Sequence, residues 1–446
     1  MPRVPAETIV ALATAPGRAG VAVIRVSGPA AGPVLDLLIG RRPPPRKAVR
    51  GRFTDPESGA VLDDGLALWF PGPASFTGED VAELQGHGGR AVVESLLDVL
   101  CRMPGVRLAE PGEFTRRAFE HGKMDLTQAE GLADLINAET EAQARQALRQ
   151  MDGALARLYE GWRGVLVPML AHIEAFIDFP DEDLPDTLDE AVRAKIADLA
   201  AQIRRHLDDG NRGERVRDGL YVAVIGPPNA GKSSLVNAIA KRDAAIVSAT
   251  AGTTRDVVEV HLDLGGYATI LADTAGLREA ADDIESEGIR RALARAETAD
   301  LRIAVFDGEQ WPRLDATTAA LVDERTLVVV NKVDRCDEPG PFPIAGQEAM
   351  PISVKTGEGM EVLLFALEAE VRDRLETRGA PALTRQRHRA ALEGCATALD
   401  RALTAPGVDL MAEDLRLATR ALGRITGRVD VEDLLDIIFR DFCIGK

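Results

Sequence analysis

The sequence predicts a multidomain protein with an α+β N-terminal domain, an α-helical central domain, and an α/β P-loop domain inserted into the helical one. Three observations carry that prediction. Residues 226–233 read Gly-Pro-Pro-Asn-Ala-Gly-Lys-Ser, a complete G-x-x-x-x-G-K-[ST] phosphate loop. The hydrophobic period changes three times along the chain. Helical segments on both sides of the phosphate-loop region each have one apolar face and little beside them to bury it, so they are expected to pack on each other with the α/β domain inserted between them.

Residues 1–120 form the first part. They mix short strand-like runs (Thr8–Ala13, Val21–Val26, Gly65–Phe70) with Gly/Pro turns and one helix near Arg90–Cys101. Arg41–Lys47, with three prolines, reads as an exposed loop. The second part, 121–213 and 379–446, is helical. Leu148, Met151, Leu155 and Leu158 step by helical intervals, as do Val192, Ile196, Leu199, Ile203 and Leu207, and later Val431, Leu434, Leu435, Ile438 and Phe439. Phe179–Pro185, with two prolines and three acids, is expected to break the helices apart. Residues 216–376 alternate strands and helices, as a doubly wound domain requires.

The phosphate loop's geometry is its chemistry. Its glycines let backbone N–H groups fold around phosphate oxygens, Lys232 reaches the β- and γ-phosphates, and the Ser233 hydroxyl is placed for Mg²⁺. Leu220–Ile225 reads as the strand leading in and Ser234–Ala240 as the helix leading out. Asp273-Thr274-Ala275-Gly276 follows the apolar run Ala268–Ala272; there an acid would hold Mg²⁺ through water and the Gly276 N–H could reach the γ-phosphate. Asn331-Lys332-Val333-Asp334 follows Leu327–Val330, and an aspartate at 334 can accept two hydrogen bonds from the guanine edge, which selects GTP over ATP. Ser353-Val354-Lys355 reads as the loop closing over the base, and Gly252-Thr253-Thr254-Arg255-Asp256 as a first switch with Thr254 as the second Mg²⁺ hydroxyl. Five motifs in order predict a GTPase.

Leu277 follows Asp-Thr-Ala-Gly, where Ras-like enzymes place the glutamine that orients water. An apolar residue cannot do that work. By proximity the candidates for water positioning and charge stabilisation are Arg255, Arg278 and the acids Glu279, Asp282, Asp283, Glu285 and Glu287, among which proximity alone does not choose.

Composition bounds the rest. The chain has 446 residues, 46% of them hydrophobic, enough for two to four packed domains. A net charge of −18 with 4% aromatics excludes a uniformly basic nucleic-acid coat, so RNA contact is expected through a local patch or a partner. Cys101, Cys336, Cys395 and Cys443 are too scattered for a disulfide framework or zinc ribbon, which points to a reducing cytoplasm. No signal pattern opens the sequence and no run approaches membrane-spanning length, so a soluble protein without membrane attachment is expected.

Over essentially its whole length the sequence resembles the MnmE (TrmE) family of tRNA-modification GTPases. The residues carrying the resemblance are Glu7-Thr8-Ile9-Val10-Ala11 with Pro16-Gly17-Arg18, Phe76-Thr77-Gly78-Glu79-Asp80 with Gln85-Gly86-His87-Gly88-Gly89, Pro111-Gly112-Glu113-Phe114-Thr115, the Gly-Thr-Thr-Arg-Asp switch, and Phe442-Cys443-Ile444-Gly445-Lys446. The resemblance implies a homodimer working with a flavin (FAD)-dependent partner of the MnmG (GidA) type in a heterotetramer-type complex. Together they would add a carboxymethylaminomethyl-type group to C5 of the wobble uridine of certain tRNAs. The carbon would come from a tetrahydrofolate derivative, with the 5,10-methylene form expected, and tRNA would be held mainly by the partner.

The resemblance also implies site residues. GTP contacts would come from Asn229, Ala230, Gly231, Lys232, Ser233 and Ser234; from Ser248, Ala249, Thr250, Ala251, Gly252, Thr253 and Thr254; and from Asp273, Thr274, Ala275, Gly276, Asn331, Lys332, Asp334, Ser353, Val354 and Lys355. Mg²⁺ would be held by Ser233 and Thr254. K⁺ would take the place of an arginine finger on Asn229, Ser248, Thr250 and Thr253, oxygen ligands that suit a hard cation. Glu285 aligns with the catalytic, water-orienting glutamate. The N-terminal domain would share the folate-binding fold of the glycine-cleavage T protein, with Arg25, Glu83, Lys123 and Lys446 as folate contacts. Cys443, between Phe442 and Ile444 near the chain end, reads from the residues alone as packing or placing the tail near the folate, ahead of a covalent nucleophile.

Two rival readings make distinct demands. An Era/Der-like ribosome-assembly GTPase needs a C-terminal KH module with a basic G-x-x-G loop, or a second phosphate loop, and the sequence has neither. A stand-alone folate-dependent transferase would not need five intact nucleotide motifs.

Overall fold

Alternation of apolar and polar residues at the N-terminus builds a six-stranded sheet. Its strands are β1 (Thr8–Leu12), β2 (Ala19–Ser27), β3 (Val49–Thr54), β4 (Val61–Phe70), β5 (Val81–Gly88) and β6 (Val106–Leu108), in spatial order β3-β4-β5-β2-β1-β6. Neighbours are antiparallel except the parallel β1–β6 pair. Because side chains alternate along a strand, one face collects Val10, Ile24, Val26, Ala67, Trp69, Ala82 and Leu84. These pack against Val34, Leu35 and Leu38 of helix Ala31–Ile39 and Leu96 and Leu100 of helix Arg90–Arg102. Truncating Leu84, fully buried here, to alanine is expected to cost about 2–5 kcal/mol. The opposite parity of β5 brings Glu83, Gln85 and His87 to the other, more open face. The three expected strands and the helix near Arg90–Cys101 are present. Helix Ala31–Ile39 is an element beyond those expected; its Pro33 lies in the first turn, where a missing N–H is tolerated.

The computed structural model describes residues 7–178, 187–242, 259–273, 297–336, 340–376, 381–429, 432–440 and 442–445. The chain groups into two compact units, Met1–Ala133 with Ala156–Gly164 and Thr419–Lys446, and Asp134–Leu155 with Val165–Ala418. Among the described residues no helix is long and apolar enough to cross a membrane.

The helical segments are Leu126–Asn137, Glu141–Met151, Ala154–Asp178, Thr187–Leu207, Gln386–Thr404, Val408–Thr426 and Glu432–Arg440. Ile196, Leu199 and Ile203 are buried as their period requires, as are Leu435 and Phe439. The run Leu148–Leu158 is a correction: it spans two helices, because Gly153 takes a left-handed φ of +78° and ends the first one. Leu148 is consequently exposed while Leu155 is buried. The acidic, proline-containing stretch 179–185 lies outside the described residues, between helices ending at Asp178 and starting at Thr187.

Between residues 220 and 351 a second sheet forms from β7 (Leu220–Ile225), β8 (Glu259–Leu264), β9 (Tyr267–Asp273), β10 (Leu301–Asp307), β11 (Thr326–Asn331) and β14 (Met350–Pro351), with β12 (Pro343–Ile344) and β13 (Gln347–Glu348) as a separate two-stranded hairpin. The main sheet runs β14-β11-β10-β7-β9-β8, parallel throughout except β8 against β9. Its central strands β7, β10 and β11 are nearly continuous apolar runs, as strands covered on both faces must be; all seven residues of β10 are buried, whereas the edge strand β8 alternates. Helices Lys232–Arg242 and Met360–Leu375 cover one face through Leu235, Ile239, Leu363 and Leu367.

Candidate functional site

In a parallel α/β sheet the loops after the strands gather at one edge, and ligands bind there. β7, β9, β11 and β14 all end at that edge, so the phosphate loop, Asp273, Asn331–Asp334 and Ser353–Lys355 converge although they span more than a hundred residues of sequence.

The phosphate loop is shaped by two glycines. Gly226 (φ +153°) passes so close to β10 that a Cβ there would meet the Val305 carbonyl oxygen at 2.3 Å. At Gly231 (φ +96°) a Cβ would meet Asn331 Nδ2 at 2.3 Å. Lys232, 7% exposed, donates from Nζ to the Gly226 and Pro227 carbonyls at 2.9 and 2.8 Å, which fixes the ammonium inside the loop. Ala230 is buried, whereas Asn229, Ser233 and Ser234 are exposed. Asn229 has a left-handed φ of +65°, a conformation asparagine tolerates better than most residues. Asp273 is 2% exposed at the end of β9, paired in register with Val224 of β7, just before the loop. The Ser233 hydroxyl, at the start of the helix that follows the loop, and the carboxylate ending β9 are the hard oxygen donors that Mg²⁺ requires.

Asn331 braces the site. Its Nδ2 donates to the Ala230 carbonyl (2.8 Å) and its Oδ1 accepts from Val354 N–H (3.1 Å), so one side chain ties the phosphate loop to the 353–355 loop. Lys332 (φ +66°) donates to Asp307 Oδ2 at 2.6 Å. Asp334 accepts at Oδ1 from the buried Ser353 hydroxyl at 2.7 Å; that hydrogen bond, helped by Lys355 and Arg335, holds its carboxyl below the usual carboxylate range. A carboxylate so charged and oriented is what two guanine N–H donors need. Motif spacing found these residues; the bracing role of Asn331 has no sequence signal beyond the motif itself.

Several expected site residues fall outside the described residues: Ser248, Ala249, Thr250, Ala251, Gly252, Thr253 and Thr254 with Arg255, then Thr274, Ala275, Gly276, Leu277, Arg278 and Glu285 with its acidic neighbours, and Lys446. Of the expected K⁺ ligands only Asn229 is described, and of the two Mg²⁺ hydroxyls only Ser233.

In the N-terminal sheet Arg25 and Glu83 are cross-strand partners on β2 and β5. Arg25 Nε and Nη2 donate to Glu83 Oε1 at 3.1 and 3.0 Å, with the guanidinium 5.5 Å from the Phe76 ring and 5.9 Å from the Phe114 ring. Both side chains remain partly accessible, at 20% and 16%. A carboxylate and a guanidinium bordered by aromatic rings suit a flat heterocycle with a donor–acceptor edge. Lys123 donates to the Pro73 carbonyl at 3.0 Å and so joins the loop that carries Phe76. The C-terminal tail reaches the same sheet: Ile444 bridges to Pro111, and Gly445 lies against the Leu12 carbonyl, one residue beyond Ala11, which faces Arg25 in register. Cys443 beside it is a free, exposed thiol.

The remaining N-terminal motif residues build an ion-pair ladder that sequence reading did not foresee. Ser27 Oγ donates to Glu79 Oε2 (2.7 Å), Arg117 bridges Glu79 (3.0 Å) and Glu113 (2.9 Å), and Arg107 grips Glu113 with two hydrogen bonds at 2.7 and 2.8 Å. Burial pushes the Glu113 carboxyl up, but Arg107, the Glu110 N–H and Arg117 outweigh it and hold the group below the usual range. The available signals were the acids in otherwise Gly-rich motifs and the i,i+4 spacing of Glu113 and Arg117.

Comparison with known proteins agrees with this geometry. The family model of the GTP-binding protein TrmE N-terminus matches residues 8–123, and that of the MnmE helical domain matches residues 126–443. The tRNA modification GTPase MnmE of Rhodospirillum rubrum is 58% identical over 452 residues, covering 99% of both chains. Those of Parvibaculum lavamentivorans and Paramagnetospirillum magneticum are 59% and 57% identical, each over 99% of this chain and 100% of the relative.

Proposed function

The chain belongs to the MnmE family of tRNA modification GTPases, and from that premise we propose that it hydrolyses GTP in a potassium-stimulated cycle that gates modification of the tRNA wobble uridine. GTP hydrolysis in tRNA modification follows from the family. The observation that carries it into this chain is the convergence of the phosphate loop, Asp273, Asn331, Asp334 and Ser353 at one sheet edge.

In this reading Lys232 and the loop's N–H groups bind the β- and γ-phosphates, and Asp334 selects guanine. Ser233 and Thr254, with Asp273 behind them, hold magnesium, which supplies charge neutralisation on the phosphates. Asn229, Ser248, Thr250 and Thr253 hold potassium, which supplies the positive charge that Leu277 cannot. Glu285 orients the attacking water. The division into 1–120, 121–213 with 379–446, and 216–376 assigns folate binding and dimerisation to the first part and the cycle to the last.

Arg25, Glu83, Lys123 and Lys446 hold a tetrahydrofolate derivative, which supplies the one-carbon unit. The docking of Gly445 beside the β1–β2 pair supports placing Lys446 there. A flavin-dependent MnmG-type partner completes the uridine chemistry in the cytoplasm and, with this chain at a net charge of −18, contributes most of the tRNA affinity.

The test is GTP hydrolysis in potassium chloride against sodium chloride at equal ionic strength. A rise of about tenfold in potassium, ~1.4 kcal/mol of transition-state stabilisation, abolished in Asn229→Ala, is expected. Equal rates in both salts would remove Asn229, Ser248, Thr250 and Thr253 from the reading.

A further inference from the structure

Helix Glu141–Met151 starts with a capping box, in which Thr140 accepts from the Gln143 N–H and Gln143 returns to the Thr140 N–H. The next N–H, of Ala142, has no partner within the helix's first turn. It donates instead to the Gly266 carbonyl at 3.0 Å, in the turn joining β8 to β9. That turn is built for the contact: Gly265 and Gly266 have φ of +60° and +87°, and the Gly266 N–H is tied to Asp263 Oδ1 at 2.8 Å. Ala142 is 6% exposed and packs in the core of the α/β sheet with Val216, Leu220 and Leu264. The same helix holds the segment entering β7, through Gln143 Nε2 to the Arg217 carbonyl (2.9 Å) and Gln146 Nε2 to the Gly213 carbonyl (2.8 Å).

One short helix is therefore bonded to the stems of two neighbouring parallel strands at the end opposite the nucleotide edge. β7 leads to the phosphate loop, and β9 leads to Asp273. The β8–β9 hairpin is also the stretch of chain between the two expected switch segments. A strand the length of β9, seven residues, spans about 20 Å and is stiff along its axis. Any slide of β9 relative to β7 that follows a change at Asp273 therefore appears at Gly266, and a helix bonded to both stems cannot follow both.

We propose that helix Glu141–Met151 reads the relative position of β7 and β9, releasing the β8–β9 turn when the transition state forms, and thereby positions Asp273 for hydrolysis. This rests on the chain being a GTPase. Because coupling is reciprocal in binding free energy, holding the joint closed must weaken binding of a transition-state mimic while leaving GDP binding alone.

The unmodified protein supplies the first test. Amide exchange of the peptide containing Ala142 should be at least about fivefold faster with GDP and aluminium fluoride in potassium chloride than with GDP alone; equal exchange overturns the proposal. The second test uses Glu141→Cys with Gly266→Cys, since a Cβ at 266 would lie 4.0 Å from that of Glu141, within disulfide range. The oxidised protein should bind GDP like its reduced form but bind GDP–aluminium fluoride at least about fivefold more weakly, and equal affinities overturn the proposal. The reduced form controls for folding, and the exchange test stands if cysteine at 266 is not tolerated. Failure of the unmodified protein to bind GDP would overturn the GTPase reading itself, whereas equal exchange in two bound states overturns only the joint.

Discussion

At the nucleotide edge the groups aimed at ligand sit on short loops after β7, β9, β11 and β14, held in place by other residues: Asn331 ties two of the loops together and Ser353 orients Asp334. In the N-terminal sheet Arg25 and Glu83 stand within strands and hold each other. The loops separate scaffold from function, so a ligand-facing side chain can be removed with the fold intact. The strand pair combines the two roles, so its removal is felt in both.

The largest effect is expected for Lys232→Ala. Losing a preorganised cation at the phosphates should lower GTP turnover by roughly 10²–10³ and abolish tRNA modification in a reconstituted assay, with the thermal midpoint nearly unchanged. A large fall in midpoint would break the distinction, because the bonds from Lys232 to Gly226 and Pro227 would then be structural.

Asp334→Asn should weaken GTP binding on the order of 100-fold by removing two charge-assisted acceptors. Its amide can donate to the 2-oxo group of xanthine, so xanthosine triphosphate should become the better ligand in a competition titration. Loss of binding to both nucleotides would mean that Asp334 supports the loop rather than reading the base.

Glu83→Gln addresses the other side of the comparison. Folate affinity, measured by calorimetry, should fall about tenfold, and the thermal midpoint should fall with it by roughly 2–4 °C, as loss of about 1 kcal/mol from a cross-strand ion pair implies. A change in affinity with no change in midpoint would mean that this pair, too, separates function from scaffold.

The same contrast explains what was legible in the sequence. Loop sites are contiguous, so Gly226–Ser233, Asp273 and Asn331–Asp334 announced themselves, and the strands feeding them are apolar runs covered on both faces. Arg25 and Glu83 lie 58 residues apart; no local pattern joins them, and only family resemblance placed both at one site. Their direct pairing required the β2–β5 register. Helix Ala31–Ile39 was hidden because Gly32 and Pro33 carry a turn signal that tertiary packing of Val34, Leu35 and Leu38 overrides. The Leu148–Leu158 period was misleading for the converse reason: one left-handed glycine splits a pattern that hydrophobic spacing alone cannot distinguish from a continuous helix. In the ladder through Glu79, Arg117, Glu113 and Arg107 only the Glu79–Arg117 rung, 38 residues apart, is hidden in the same way as Arg25–Glu83; Glu113 and Arg117 are an i,i+4 pair on one helix.

The smallest effect, and the sharpest test of the loop architecture, is expected from Ser353→Ala. The Ser353 hydroxyl is the main cause of Asp334's lowered pKa. In the parent protein the carboxylate is charged at all pH values above the usual carboxylate range, and GTP affinity that depends on it is lost only as pH falls through the depressed value. Without the hydroxyl that value rises toward the ordinary one, so the acid limb of GTP affinity should move to higher pH. At neutral pH Asp334 stays ionised in both proteins, and only its orientation is loosened, so affinity should fall by no more than about 3–5-fold. An unchanged acid limb with a large loss at neutral pH would reverse the assignment. Ser353 would then act through its bonds to the 356–358 turn, whose Thr356 N–H donates to its Oγ at 3.2 Å, and the loops of the nucleotide edge would be as dependent on their ligand-side residues as the N-terminal strands are on theirs.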